Sequence, residues 1–378
     1  MNEIYLDNSA TTRVDDQVAQ AALDAMCRTY GNPSSLHTKG LEAELMLDGA
    51  RRQVAAALGA QPEEIAFTSG GTEANNLALL GAMAMGRRRG GRVVVTAFEH
   101  SSVLAACAQL EQQGCEVVYV KPDAQGHIAA RDVVAAVDER TALVSAMLVN
   151  NEVGTVAPVE EIARALKLQK RGALLHCDAV QAFGKLPIRV ARLGVDLLTV
   201  SGHKIYAPKG VGALYIKKGV RIAPRAHGGA QERGLRVGTE PAPAIAALGK
   251  AAELIDTQRT ARNTALFAKT LREGLAGVAG LRFNSPEDAL PSVVNLSAVG
   301  IRSEIMMHYL EQRGIYVSSG SACAKGERSH VLRSMGLPDE VIDSALRVSF
   351  GKYNTCEDIA RFITVLRQGM KDIKRSRP

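Results

Sequence analysis

Leu197-Leu198-Thr199-Val200-Ser201-Gly202-His203-Lys204 is an apolar, β-rich run that ends in small polar residues, with a lysine just past its end. Six other apolar runs share its character, at residues 65–68, 93–97, 117–120, 143–149, 174–177 and 211–216. Most are apolar almost throughout, as expected of strands buried on both faces. Helical patterns alternate with them at 73–85, 103–113, 130–137 and 159–170. The alternation predicts an α/β fold with a mostly parallel sheet. In such sheets ligands bind beyond the carboxyl ends of the strands, and Thr68, His100, Asp178 and Ser201 fall at or just after such ends.

After about Ala244 the pattern changes. A long helix is expected over 244–275, then a strand at 293–297, a helix at 304–313, short runs at 315–318 and 346–350, and a final helix at 357–374. This reads as a smaller α+β unit.

Composition narrows the function. The 378 residues are 46% hydrophobic and 22% charged, as in an ordinary soluble globular protein with room for two domains. Aromatics are 4% and Trp is absent, which argues against stacking platforms for nucleic acid. No apolar run approaches the ~18 residues of a membrane helix. Met1-Asn2-Glu3-Ile4-Tyr5-Leu6-Asp7 lacks the basic and apolar regions of a signal peptide. A cytoplasmic protein is expected, with no membrane and no direct nucleic-acid partner. Six cysteines, Cys27, Cys107, Cys115, Cys177, Cys323 and Cys356, are too sparse for a disulfide framework, and with no CxxC pair no metal site is expected. Cys27, Cys107, Cys115 and Cys177 read as small buried hydrophobes, and Cys356 as the start of the last helix. The net charge of +7 is mostly scattered. Arg87-Arg88-Arg89 with Arg92, and the tail 371–377, read as solvated clusters or as a docking surface for an acidic protein or for RNA.

The chemistry-bearing residues stand near strand ends. Thr68-Ser69-Gly70-Gly71-Thr72-Glu73 leads from a strand into a helix. Its glycines, the Thr72 hydroxyl and the helix N-terminus suit a phosphate, unless Thr72 is a plain N-cap. Asp178 ends a buried strand, and a buried carboxylate needs a cation. A protonated pyridine nitrogen or an ordinary ion pair would serve, and Gln181 could donate to a phenolic oxygen on the same ring. His100 is either structural or stacked on a flat cofactor where it can move protons. Lys204 is placed as a Schiff-base lysine would be. Arg347, inside Leu346-Arg347-Val348-Ser349-Phe350, needs an anion, either a substrate carboxylate or a structural ion pair. Cys323 follows Ser318-Ser319-Gly320-Ser321-Ala322 and precedes Ala324-Lys325-Gly326-Glu327-Arg328-Ser329. That loop composition beside two cations reads as an exposed, mobile, reactive thiol. Lysine, aspartate and thiol together point to pyridoxal 5'-phosphate (PLP), with a thiol attacking a substrate held on it.

With these residues placed, the chain resembles a group I cysteine desulfurase of the PLP fold-type I, class V aminotransferase superfamily. The resemblance runs nearly end to end. It rests on Tyr5-Leu6-Asp7-Asn8-Ser9-Ala10-Thr11-Thr12, Gly31-Asn32-Pro33-Ser34-Ser35-Leu36-His37, Ser69-Gly70-Gly71-Thr72-Glu73-Ala74-Asn75-Asn76, Asn150-Asn151-Glu152-Val153-Gly154, Asp178-Ala179-Val180-Gln181, Ser201-Gly202-His203-Lys204 and the Ser318–Cys323 segment. It implies a large PLP-binding domain over 15–254 with a mostly parallel seven-stranded sheet. Residues 1–14 and 255–378 would form a small domain carrying the catalytic cysteine loop. It also implies a homodimer that converts L-cysteine to L-alanine and passes sulfur to an acceptor protein, an iron–sulfur scaffold or a thiolation enzyme. Lys204 would carry the cofactor, Asp178 pair with its ring nitrogen, Gln181 contact its phenolic oxygen and His100 stack on the ring. Gly71, Thr72, Ser201 and His203 would hold the phosphate, with Thr239 contributed across the dimer. Asn151 and Arg347 would bind the substrate carboxylate, and Cys323 would become the persulfide.

Three departures stand out. The family's Arg-Ser/Ala-Gly-Thr segment reads Arg236-Val237-Gly238-Thr239 here. The loop after Cys323 is a little shorter than in the housekeeping enzymes, and the chain ends soon after its last helix, so the resemblance does not name the acceptor. A selenocysteine lyase, aminotransferase or other lyase of the same fold would need Lys204 but not Cys323. A non-catalytic sulfur-relay or scaffold protein would need neither.

Overall fold

A computed structural model of the chain describes residues 3–86, 90–169, 172–319 and 328–374. Its strands, in chain order, are β1 (Ile4–Tyr5), β2 (Ile65–Thr68), β3 (Arg92–Thr96), β4 (Glu116–Val120), β5 (Thr141–Met147), β6 (Leu174–Asp178), β7 (Leu197–Ser201), β8 (Gly212–Ile216), β9 (Leu281–Phe283), β10 (Val293–Ala298), β11 (Ile315–Tyr316) and β12 (Ala345–Ser349). Seven strands form one sheet in the order β2-β8-β7-β6-β5-β3-β4. Only β8 runs antiparallel to its neighbours in that sheet, so the expected mostly parallel seven-stranded sheet is present.

Side chains along these strands alternate between two cores. Val93, Val95, Leu143, Leu197 and Leu214 share one with the helices Gly71–Gly86 and Ser101–Gln112. Val94, Val144, Leu198 and Ala213 belong to the other, with the helices Thr38–Leu58, Val159–Gln169 and Ala242–Glu253. Both faces are covered, which is why the strands read as continuous apolar runs.

A further core surrounds a three-stranded antiparallel sheet of order β12-β10-β9. Phe267, Leu271, Met306, Leu310, Phe362 and Leu366 reach it from the helices Thr257–Leu275, Ser303–Glu311 and Cys356–Asp372. The start of the chain joins in: Ile4 and Leu6 are buried there, and β1 pairs in parallel with β11. No helix among the described residues is long and apolar enough to cross a membrane.

The structure corrects some expectations. Residues 244–275 are not one helix but two, Ala242–Glu253 and Thr257–Leu275. The Asp256 carboxylate accepts a hydrogen bond from the Arg259 N–H and starts the second helix, so a local cap outweighs an unbroken apolar period. Cys107 and Cys177 are buried, but Cys27 is exposed at the end of the helix Asp16–Cys27 and Cys115 is partly exposed. The helices Asp16–Cys27 and Thr38–Leu58 were not foreseen.

Candidate active site

The carboxyl ends of β2, β5, β6 and β7 open onto one cavity of about 630 Å³. Gly71, Thr72, His100, Asn151, Asp178, Gln181, Ser201, His203, Lys204 and Arg347 all line it. They come from widely separated parts of the chain, and sheet order is what gathers them.

Backbone geometry explains several placements. The helix Gly71–Gly86 starts three residues after β2. A Cβ on Gly71 would sit 2.9 Å from Val180 Cγ2, so only glycine lets the helix start lie against the turn after Asp178. Gly212, at the start of β8, would carry a Cβ 2.8 Å from the Gly70 Cα and 2.7 Å from the Val200 carbonyl oxygen. The chain between β7 and β8 is thereby held against the glycine loop, and Lys204 lies in that connection.

Asp178 is 2% exposed and anchors a hydrogen-bonded chain. Its Oδ1 accepts from the Val180 N–H at 2.9 Å, and its Oδ2 accepts from Asn75 Nδ2 at 2.8 Å. Asn75 Nδ2 also donates to Ser102 Oγ at 2.9 Å, and Ser102 Oγ lies 2.8 Å from His100 Nδ1. His100 Nδ1 accepts from the Ser102 N–H at 3.1 Å, so it carries no proton and the neutral ring is protonated at Nε2. Burial lowers the pKa of His100, the Asp178 charge opposes that, and Lys204 and His330 add to it. Among the described residues Asp178 forms no salt bridge.

Lys204 Nζ donates to the carbonyls of Ser9 and Ala10, both at 2.6 Å. Gln181 Nε2 donates to the same Ser9 carbonyl at 3.0 Å. His203 lies with Nδ1 3.2 Å from Thr11 Oγ1, and burial, with Lys204 next, depresses its pKa to about 4. Of its two expected environments, Arg347 has the ion pair. It is buried in β12, donates to Asp7 Oδ1 at 2.9 Å and to the Asn151 carbonyl at 3.2 Å, yet it also faces the cavity. Its Nε, and Asn151 Oδ1, are buried without a hydrogen-bond partner among the described residues.

One expected site residue is not in this constellation. Thr239 is exposed and does not line the cavity. Cys323 lies outside the described residues, as does Lys325. The described residues on either side of that segment are both tied to the site. Ser318 is bridged to Arg347, whose N–H donates to the Ser318 carbonyl at 2.6 Å. Arg328, Ser329 and His330 line the cavity. Arg328 is held by Asp339 and Asp343, and Ser329 Oγ donates to the buried Glu152 carboxylate.

The sequence reading gave no role to Asn75, Ser9, Glu152 or Lys185. Asn75 carried a signal: it is an amide on the apolar helix that follows the glycine loop, and it is 1% exposed. The role of Ser9 is played by its carbonyl, which side-chain identity cannot reveal.

The aminotransferase class-V family model matches residues 4–362. A cysteine desulfurase 2 of Trichormus variabilis is 44% identical over 97% of this chain and 92% of its own. A cysteine desulfurase IscS of Methanosarcina thermophila is 42% identical over 99% of this chain and 94% of its own. Among solved structures, a NifS-like protein superposes with a TM-score of 0.93 at 38% identity, covering 98% of this chain and all of the other. A protein solved as SspA in complex with cysteine matches with a TM-score of 0.83 at 34% identity, over 94% of this chain and all of its own.

Proposed function

The chain belongs to the aminotransferase class-V family and is a cysteine desulfurase that mobilises sulfur, and from that premise we propose that it uses pyridoxal 5'-phosphate and that the residues around the cavity divide the work. The observation that carries this reading is the buried Asp178 carboxylate, which forms no salt bridge among the described residues and faces the same cavity as the Lys204 amine. A buried carboxylate of this kind fits a pyridinium N–H. The glycine loop that lies against Val180, with the Thr72 and Ser201 hydroxyls and the helix N-terminus, fits a phosphate. When bound, the cofactor withdraws electrons from the substrate amino acid and so weakens its carbon–sulfur bond.

In this reading Lys204 carries the cofactor, Asp178 keeps its ring nitrogen protonated and Gln181 meets its phenolic oxygen. Gly71, Thr72, Ser201 and His203 hold the phosphate, and Thr239 of a second copy completes that cradle in a homodimer. His203, neutral because burial depresses it, offers a hydrogen bond without adding charge. His100 is held by Ser102 so that its protonated Nε2 is the group left for the reaction. The Asp7 contact fixes the Arg347 guanidinium, which with Asn151 receives the substrate carboxylate. Cys323, as thiolate, takes the substrate sulfur: an S–S bond forms, the C–S bond breaks, and the β carbon keeps the electron pair and gains a proton. Alanine leaves, and the persulfide passes to a sulfur-acceptor protein, an iron–sulfur scaffold or a thiolation enzyme. The reducing cytoplasm would keep the thiol available between turnovers.

The test is Cys323→Ser. The purified variant should retain the cofactor's absorbance and bind cysteine, while sulfide and alanine production fall by on the order of 10²-fold or more. Desulfuration close to wild type would instead indicate a PLP lyase that has no need of the thiol.

A further inference from the structure

Lys185 has no part in the chemistry above, yet it is 8% exposed and lies close to the site. Its Nζ donates to Gln181 Oε1 at 2.7 Å. Burying an amine is costly, and the Lys204 and Arg347 cations lie close enough to add to the cost. Those effects, burial first, bring its pKa down to about 7. Such a position calls for a purpose, and the hydrogen bond supplies one.

Gln181 is 4% exposed and pinned at both ends of its carboxamide. Its oxygen takes the Lys185 donor, and one of its two N–H groups goes to the Ser9 carbonyl at 3.0 Å. The reversed amide would set oxygen against the Ser9 carbonyl and NH2 against Lys185, losing both bonds whenever Lys185 is protonated. The second N–H of Gln181 is left for the cavity that its side chain lines. The local fold holds this arrangement. Residues 181 and 185 are four apart in a run of turns after β6, in which the Phe183 N–H donates to the Ala179 carbonyl and the Lys185 N–H to the Ala182 carbonyl. Gly184, at φ +78°, closes the run; a Cβ there would lie 2.8 Å from Ile205 Cγ2, beside the Lys204 connection.

We propose that Lys185 is a positioning residue that fixes the Gln181 carboxamide with its N–H toward the cavity, so that the site presents a donor and never an acceptor to the phenolic oxygen of the cofactor. The inference rests on the assignment of that oxygen to Gln181. Lys185 touches neither cofactor nor substrate and acts through one hydrogen bond. Losing it leaves the amide able to turn, and a turned amide sets its oxygen against the phenolate.

The experiment compares Lys185→Met, Lys185→Arg, Gln181→Met and the double variant Lys185→Met/Gln181→Met, each purified as apoenzyme and reloaded with PLP. Two quantities are read: the dissociation constant for PLP, and the pH midpoint of the bound cofactor's absorbance change. Lys185→Met should weaken PLP about two- to ten-fold and shift the midpoint by up to about one pH unit, as expected for one hydrogen bond. Gln181→Met should do the same, and the double variant should be no worse than either single variant, because both remove one coupled interaction. Lys185→Arg keeps a donor, and the cavity of about 390 Å³ beside Lys185 has room for it, so it should restore the wild-type midpoint. A purely structural lysine would lower the thermal midpoint of the apoenzyme and leave the spectrum alone. Lys185→Met should do the reverse, since it replaces a buried amine with an apolar chain. If Gln181→Met shifts the spectrum and Lys185→Met does not, or if the two effects add, the role of Lys185 is refuted. If Gln181→Met leaves the spectrum unmoved, the Gln181 assignment itself falls and the inference goes with it.

Discussion

Asp178→Asn tests the proposed cofactor role of this carboxylate against a part in folding. In the structure the side chain accepts two hydrogen bonds, from the Val180 N–H at 2.9 Å and Asn75 Nδ2 at 2.8 Å. The amide variant keeps an oxygen for Val180. Its new NH2 faces the NH2 of Asn75, but Asn75 Oδ1 is buried and unpartnered among the described residues, so Asn75 can turn and accept. Ser102 can rotate its hydroxyl to follow. The apoenzyme should therefore lose no more than about 1 kcal/mol, a shift of about 2–4 °C in thermal midpoint. Removing a buried charge with no salt-bridge partner offsets part of that. The loaded enzyme behaves differently. Taking one partner from a buried ion pair costs about 3–5 kcal/mol, so PLP affinity should fall roughly 10²- to 10⁴-fold. The assays are titration of the apoenzyme with PLP by absorbance, and calorimetry with and without cofactor. The cofactor-induced rise in thermal midpoint should shrink in the variant while the apoenzyme midpoint stays near wild type. A PLP affinity within three-fold of wild type would remove Asp178 from the ring nitrogen. An apoenzyme midpoint that falls as far as the loaded one would make the residue structural.

Lys204 and Glu152 can be tested from the geometry of the site, and Thr239 from the family resemblance. Lys204→Ala should abolish the borohydride-reducible link between PLP and protein; labelling of a peptide containing Lys209 in its place would move the assignment. Thr239→Ala should weaken PLP retention although Thr239 is exposed in the single chain, and a monomer in sedimentation that keeps full occupancy would contradict the shared phosphate site. Glu152 is buried, and burial raises its pKa to about 7 despite the Ser329 hydrogen bond and the Arg347 charge. Unfolded, it ionises near its usual ~4.3, so between about pH 4.5 and 7 the folded protein holds a proton that the unfolded chain has released. Stability falls across that window, by up to ~3 kcal/mol. Glu152→Gln should gain on wild type in thermal midpoint from pH 5 to pH 8, and a difference independent of pH would refute the shift.

The sequence by itself determined the seven strands of the large sheet and pointed to the family, but it did not show β1 or β9, which are only two and three residues long. Apolar runs such as 143–149 and 197–200 admit one reading because both faces of the sheet are covered, and burial writes itself into every residue. Lys204, Asp178 and the glycines at 70 and 71 stood out because each is costly or special where it stands: a carboxylate at a buried strand end, an amine three residues past another, and backbone where a side chain would be strained or would clash. The helices Asp16–Cys27 and Thr38–Leu58 were not legible. Their apolar faces are diluted by small and polar residues, and packing against Ala242–Glu253 holds them where periodicity alone is weak.

Only the tertiary structure could decide partnerships. That Asn75 links Asp178 to Ser102 and so to His100 depends on the helix after β2 lying across β6, which sheet order sets and residue spacing does not. Arg347 was open between a substrate and an ion pair. The structure gives it Asp7, a residue 340 positions away, because the chain's first strand pairs beside the last sheet. Lys185 drew no reading from the sequence, and its burial against Gln181 follows from a turn whose Gly184 packs on Ile205, the residue after Lys204. Residue type announces a cost, but the partner that meets it is fixed by contacts between distant segments, and those exist only once the chain has folded.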